Sequence, residues 1–168
     1  MRTARAVVSI VMGSDSDMET MREGAGVLEK FGVPHELRVI SAHRSPNLLT
    51  RYVREGEKRG VRIFIAGAGA AAALPGAVAA LTTRPVLGVP IPSSPLKGLD
   101  SLLAMAQMPS GTPVATLAIG TPGAKNAALL AVEILALSDA GLARQLVRFK
   151  ARQEHEITKK DATTRRRR

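Results

Sequence analysis

His43 and Arg44 stand side by side in the hexapeptide Ser41-Ala42-His43-Arg44-Ser45-Pro46, and the other two histidines have no such neighbour. An imidazole can move protons near neutral pH. A guanidinium can hold a phosphate or carboxylate in a fork. Residues 37–40 before the hexapeptide are apolar except for Arg38, and residues 47–58 after it have a helical pattern. That order predicts a loop at the C-terminal end of a strand, the edge of an open α/β sheet where ligands bind.

A second candidate is Gly13-Ser14-Asp15-Ser16-Asp17, which follows residues 6–12, apolar except for Ser9. Glycine lets backbone come close to a ligand, and serine hydroxyls with helix N-terminal amides can hold a phosphate. An aspartate there can accept hydrogen bonds from ribose hydroxyls, or Ser14, Asp15 or Asp17 can simply cap the next helix. The Gly-x-Gly-x-x-Gly dinucleotide pattern is absent from this segment. A third candidate is the small-residue run from Gly67-Ala68-Gly69 through Ala73, where backbone could approach a ligand or where helix and sheet could simply pack closely. Pro75 and Gly76 suit a shaped site better than a plain helix interior. The Pro-rich loop of residues 88–95 and the segment Gln107-Met108-Pro109 could enclose a site or only connect elements. His35 and His155 read as structural or exposed. No spacing of His, Asp and Glu argues for a metal.

The elements that must position these residues alternate. Strands are predicted at 5–12, 33–40, 61–66, within 84–90, and at 112–119. Helices are predicted at 18–31, 47–59, 70–81 (interrupted by Pro75 and Gly76), 99–107, 124–137 and 140–155. Gly67–Gly69 and residues 120–123 read as turns, with Ser45 and Pro46 opening the second helix. Alternation of this kind predicts an α/β fold with a doubly wound parallel sheet of about five strands and a C-terminal helix. The length fits one domain, taken as residues 1–157. With no Trp, one Tyr and three Phe, its core must be aliphatic, and with no Cys it holds neither disulfides nor thiolate sites. No run is long enough to span a membrane and no secretory pattern opens the chain, so a cytoplasmic protein is expected.

The net charge of +10 suggests polyanions, but half of it sits in residues 158–168, which hold six Lys/Arg and one Asp. That polar, aperiodic tail reads as disordered. No base-reading motif accompanies it, so no specific nucleic-acid partner is expected.

Seven segments together resemble one family, the class I 5-(carboxyamino)imidazole ribonucleotide mutases of bacterial purine biosynthesis. They are Val-Met-Gly-Ser-Asp-Ser-Asp, Ser-Ala-His-Arg-Ser-Pro, Ala-Gly-Ala-Gly, Pro-Val-Leu-Gly-Val-Pro, Gly-Leu-Asp-Ser-Leu, Gln-Met-Pro-Ser-Gly-Thr-Pro-Val and Thr-Leu-Ala-Ile-Gly. They occur in the family's order from about residue 7 to residue 137. The resemblance implies a flavodoxin-like three-layer α/β/α sandwich, a homo-octamer with sites at subunit contacts, and a nucleotide substrate with no cofactor. It implies that His43 is the catalytic acid and base, that Ser14 and Asp17 hold phosphate and ribose, and that Arg44 contacts phosphate. Gly13, Ser41 and Ala42, with Gly67, Ala68 and Gly69, are implied substrate contacts. The loop after the fourth strand is implied to help enclose the imidazole and its carboxylate. The family usually has Gly where this chain has Ala70, and His where it has Ala73. Those departures bear on activity more than on fold. Two further readings remain: a carboxylase using free carbon dioxide, as the related class II enzymes do, and, from those departures, a nucleotide-binding paralogue of reduced activity.

Overall fold

The structure is a computed structural model and describes residues 5–165. Strands β1 (Val8–Met12), β2 (His35–Val39), β3 (Ile63–Gly69), β4 (Val86–Ile91) and β5 (Ala115–Thr116) form one parallel sheet in the order β2-β1-β3-β4-β5. This is the flavodoxin-like order, with its direction change between β1 and β3. β1 is buried throughout, as expected of a strand covered on both faces. Helices α1 (Met18–Lys30), α2 (Pro46–Arg59), α3 (Ala73–Ala79), α4 (Leu99–Ala106), α5 (Thr121–Ala136) and α6 (Ala140–Arg165) follow.

Alternation along β3 sorts the layers. Phe64, Ala66 and Ala68 join the aliphatic core made with Leu49, Tyr52 and Val53 of α2, Val78 of α3 and Met105 of α4. Gly67 points the other way, where an added Cβ would meet Met21 of α1. α5 lies against α1 on that face: a Cβ at Gly24 would stand 2.8 Å from the carbonyl oxygen of Ala124. Helix α2 is fixed by a polar chain under its apolar face. Tyr52 Oη shares a 2.6 Å hydrogen bond with fully buried Ser9 and donates to Glu36 at 2.7 Å. Arg59 donates to the same carboxylate at 2.8 Å. Burial holds the Tyr52 hydroxyl well above its ordinary range, so it remains a donor.

The described residues form two compact units, one ending at Ala131 and one starting at Val132. The second unit has local ties of its own, such as Lys150–Glu133 at 3.2 Å. Four local expectations change. Gly67–Gly69 continues β3 and is no turn, because its amides pair with β4 through Ile91. Residues 121–123 are already helical, and Gly123 approaches the Ala118 carbonyl too closely for any side chain. β5 pairs over only two residues, opposite Leu87 and Gly88. Finally, α6 runs on through Arg165, so residues 158–165 are helical and not a disordered tail; residues 166–168 lie outside the described residues. Lys159, Lys160, Ala162 and Arg165 there are good helix formers. Asp161 pairs with Arg165 at 3.0 Å, and Thr158, Thr163 and Thr164 each donate to the carbonyl four residues back.

Candidate active site

Four loops leave the C-terminal edge of the sheet together, after β1, β2, β3 and β4. They enclose a cleft of about 300 Å³ at the place where the strand order reverses. The first loop turns through a 3-10 segment, Asp15–Asp17, into α1. Ser14 caps that segment by accepting from the Ser16 amide at 3.4 Å. Asp17 precedes α1 but makes no side-chain cap bond. Its carboxylate is buried instead and accepts from the Ser16 hydroxyl at 3.3 Å. Burial raises its pKa, with the Asp15 charge adding to the rise, while the hydrogen bonds of Ser16 and Ser14 oppose it. A buried carboxylate of this kind is short of donors, which ligand hydroxyls could supply. Gly13 faces open space, where a Cβ would meet nothing within 4 Å.

The second loop is closed on itself by serines. Ser45 Oγ donates to the Ser41 carbonyl at 2.9 Å and accepts from the Ser41 amide at 3.2 Å. It therefore staples the loop instead of capping α2, which Pro46 begins. Ser41 Oγ accepts from the Arg44 amide at 3.2 Å and from Arg44 Nε at 3.4 Å. Arg44 Nη2 then crosses to the first loop and donates to the Gly13 carbonyl at 2.8 Å. The guanidinium thus ties the two loops and keeps donors for an anion. His43 is exposed at the cleft and has no hydrogen-bond partner among the described residues.

The third side is Ala68, Gly69 and residues 72–74. Ala70 and Ala72 both take left-handed backbone, with φ of 50° and 45°. Gly69 is required where it is: a Cβ there would collide with Ser93 Oγ and stand 2.9 Å from Ser93 Cβ. Ser93 reaches the cleft from the loop after β4. That loop is anchored by fully buried Ser101, which donates toward the carbonyls of Gly98 at 3.0 Å and Ile91 at 3.2 Å.

The structure brings Gly13, Ser14, Asp17, Ser41, Ala42, His43, Arg44, Ala68 and Gly69 to one cleft. Gly67 is not among them. It faces α1 across from the cleft side of β3, so its smallness serves packing against Met21. Ser16, Ala72, Leu74 and Ser93 also line the cleft and were not individually singled out. The proline-rich loop was the one signal pointing to Ser93. Ser16 differs in no way from its capping neighbours at the level of sequence. The segment of residues 107–113 stays outside the cleft, where Met108 packs beside Gly76.

The flavodoxin-like sheet thus carries a polar cleft at its switch point, with an imidazole, a guanidinium and a buried carboxylate on its walls, at the edge where open α/β sheets bind ligands. The family described as AIR carboxylase matches residues 7–156, and the chain belongs to that family. It is 56% identical over 142 residues to the N5-carboxyaminoimidazole ribonucleotide mutase of Saccharolobus solfataricus, covering 84% of this chain and 89% of that protein. It is 50% identical over 160 residues to the mutase of the same name from Pyrococcus horikoshii, covering 95% and 89%. The crystal structure of Treponema denticola PurE superimposes with a TM-score of 0.86 at 31% identity, covering 95% of this chain and 98% of that one.

Proposed function

We propose that this chain is an N5-carboxyaminoimidazole ribonucleotide mutase, an isomerase of purine biosynthesis. The observation that carries the reading is the meeting of His43, Arg44, Ser14 and Asp17 at one cleft from two separate loops. Relatives at about half identity over most of the chain bear the mutase name. In this reading Ser14, the amides opening α1 and the free donors of Arg44 hold the phosphate. Asp17 accepts from the ribose hydroxyls. Ala68, Gly69 and Ser93 face the imidazole ring.

The exocyclic N–CO₂⁻ bond breaks and releases carbon dioxide within the cleft. His43 gives the amine nitrogen its proton. The ring carbon then attacks the trapped carbon dioxide, forming the new C–C bond, and its proton returns to His43. The proton count balances, so one titrating group completes the cycle and no external acid, base or oxidant enters. Retention of carbon dioxide beside the ring supplies proximity, without which the transfer fails.

A homo-octamer and a cytoplasmic location belong to the same proposal. Exposed Leu96, in the loop just before α4, and exposed Leu99 and Leu103 on α4 are suited to subunit contact. Among the described residues no helix is long and apolar enough to cross a membrane. Turnover of freshly made carboxyamino substrate by purified protein, followed by absorbance, tests the proposal. Wild-type turnover that disappears in His43→Asn supports it. Equal turnover in the two proteins removes His43 from the chemistry.

A further inference from the structure

Arg144, Arg148, Arg152, His155 and Lys159 recur along α6 at intervals of four, four, three and four residues. At helical geometry they lie within one arc of about 80° and extend over about 22 Å. Glu156 borders that arc, while Glu154 and Asp161 lie away from it. Arg144, Arg148 and every residue from 151 to 165 are exposed. The ion pairs of α6 among the described residues are Lys150–Glu133 and Arg165–Asp161, and neither includes a member of the stripe. Like charges four apart weaken a helix. Arg144, Arg148 and Arg152 are such a series, and an external anion would relieve their repulsion.

We propose that this stripe docks the phosphate backbone of double-helical nucleic acid without regard to sequence. A duplex strand presents a charge about every 3.4 Å of its axis, so a straight 22 Å line of cations runs beside roughly six phosphates. The stripe has no Phe, Tyr or Trp and only one imidazole, His155, too few rings for a surface that stacks successive single-strand bases. An anionic bilayer would need a continuous apolar face. Here the opposite side is broken by Lys150, Gln153 and Lys160, and Leu146 is already buried. Nothing in this proposal depends on the mutase reading, because no member of the stripe lines the cleft.

The test is fluorescence anisotropy of the full chain with a labelled duplex of about 20 bp, in two unrelated sequences, between about 50 and 200 mM salt. Both duplexes should bind alike. Replacing Arg144, Arg148, Arg152 and Lys159 by Gln should weaken binding at least tenfold at the lower salt. The same change should make the log–log salt slope shallower by about 3.6, at roughly 0.9 per lost phosphate contact. The pairs Arg144→Gln/Arg148→Gln and Arg152→Gln/Lys159→Gln should each remove about half of that slope, which keeps the test informative should the fourfold variant misfold. Turnover of the carboxyamino substrate should stay at the wild-type level. A charge-matched control, Arg22→Gln/Arg51→Gln/Arg54→Gln/Lys58→Gln, should bind as wild type. Equal loss in that control would reduce the effect to net charge and overturn the proposal. So would loss only on deleting residues 166–168, absence of binding at about 50 mM salt, or binding confined to phosphatidylserine vesicles.

Discussion

The loops after β1 and β2 are polar and tied to one another, whereas the segment after β3 is alanine held in left-handed backbone. In the first region each serine has a partner: Ser41 and Ser45 close their own loop, Ser14 caps the next, and Arg44 spans the two. In the second region Ala70 and Ala72 hold φ of 50° and 45°, a conformation that glycine adopts freely and other residues rarely do. The cleft thus has a side that supplies charge and a side that supplies shape. Substitutions on the first should change chemistry and binding. Substitutions on the second should change stability first.

The largest expected effect is at His43. Loss of a general acid/base typically lowers turnover by about 10²–10⁴-fold, and His43→Asn should do so with little change in melting temperature, since His43 makes no hydrogen bond among the described residues. Arg44→Gln comes next. A charge-assisted bond is worth about 1.5–3 kcal/mol, and losing it should raise KM roughly tenfold to a hundredfold. A loss in kcat with unchanged KM would instead place Arg44 beside the reacting carbon and not at the phosphate.

Asp17→Asn should separate binding from stability. The folded carboxyl has a raised pKa, caused first by burial. Its contribution to stability is therefore complete below the unfolded value of about 3.9 and is lost as pH rises through the folded value. Above that window the free variant should melt higher than wild type, and the difference should close in acid. Its ligand-induced stabilisation should be smaller. A variant that melts lower than wild type at neutral pH would show that the carboxylate is well satisfied in the empty cleft. The smallest effect belongs to the alanine side. Ala70→Gly removes a left-handed alanine at an offset in unfolded-chain entropy. A net gain near 1 kcal/mol, or about 2–4 °C in Tm, is expected, with turnover equal or higher. Destabilisation would mean that the Ala70 methyl makes a contact worth more than the strain.

The polar side of the cleft was legible in sequence because its residue types are unusual together: an imidazole beside a guanidinium, and a Gly-Ser-Asp run after an apolar strand. The alanine side was harder. A run of Gly and Ala has neither a period of two nor one of 3.6, so residues 67–69 read as a turn although they complete β3. For the same reason Gly67 could not be sorted from Gly69: one packs on α1 and the other makes room for Ser93. Ser93 itself depends on how Ser101 anchors a loop eight residues away, which no local pattern encodes. The end of α6 was misread because hydrophobic period was the criterion, while helix propensity and an i,i+4 ion pair sustain that stretch without a buried face.

The central claim is that a carboxylate moves from nitrogen to carbon inside this cleft without leaving it. Substrate labelled with carbon-13 in its carbamate carboxylate, turned over by the wild-type protein in unlabelled bicarbonate, tests that claim directly. The account predicts a ring-carboxylated product that keeps the label, formed at a rate independent of bicarbonate. Unlabelled product, formed in proportion to dissolved carbon dioxide, would contradict it and make the chain a carboxylase.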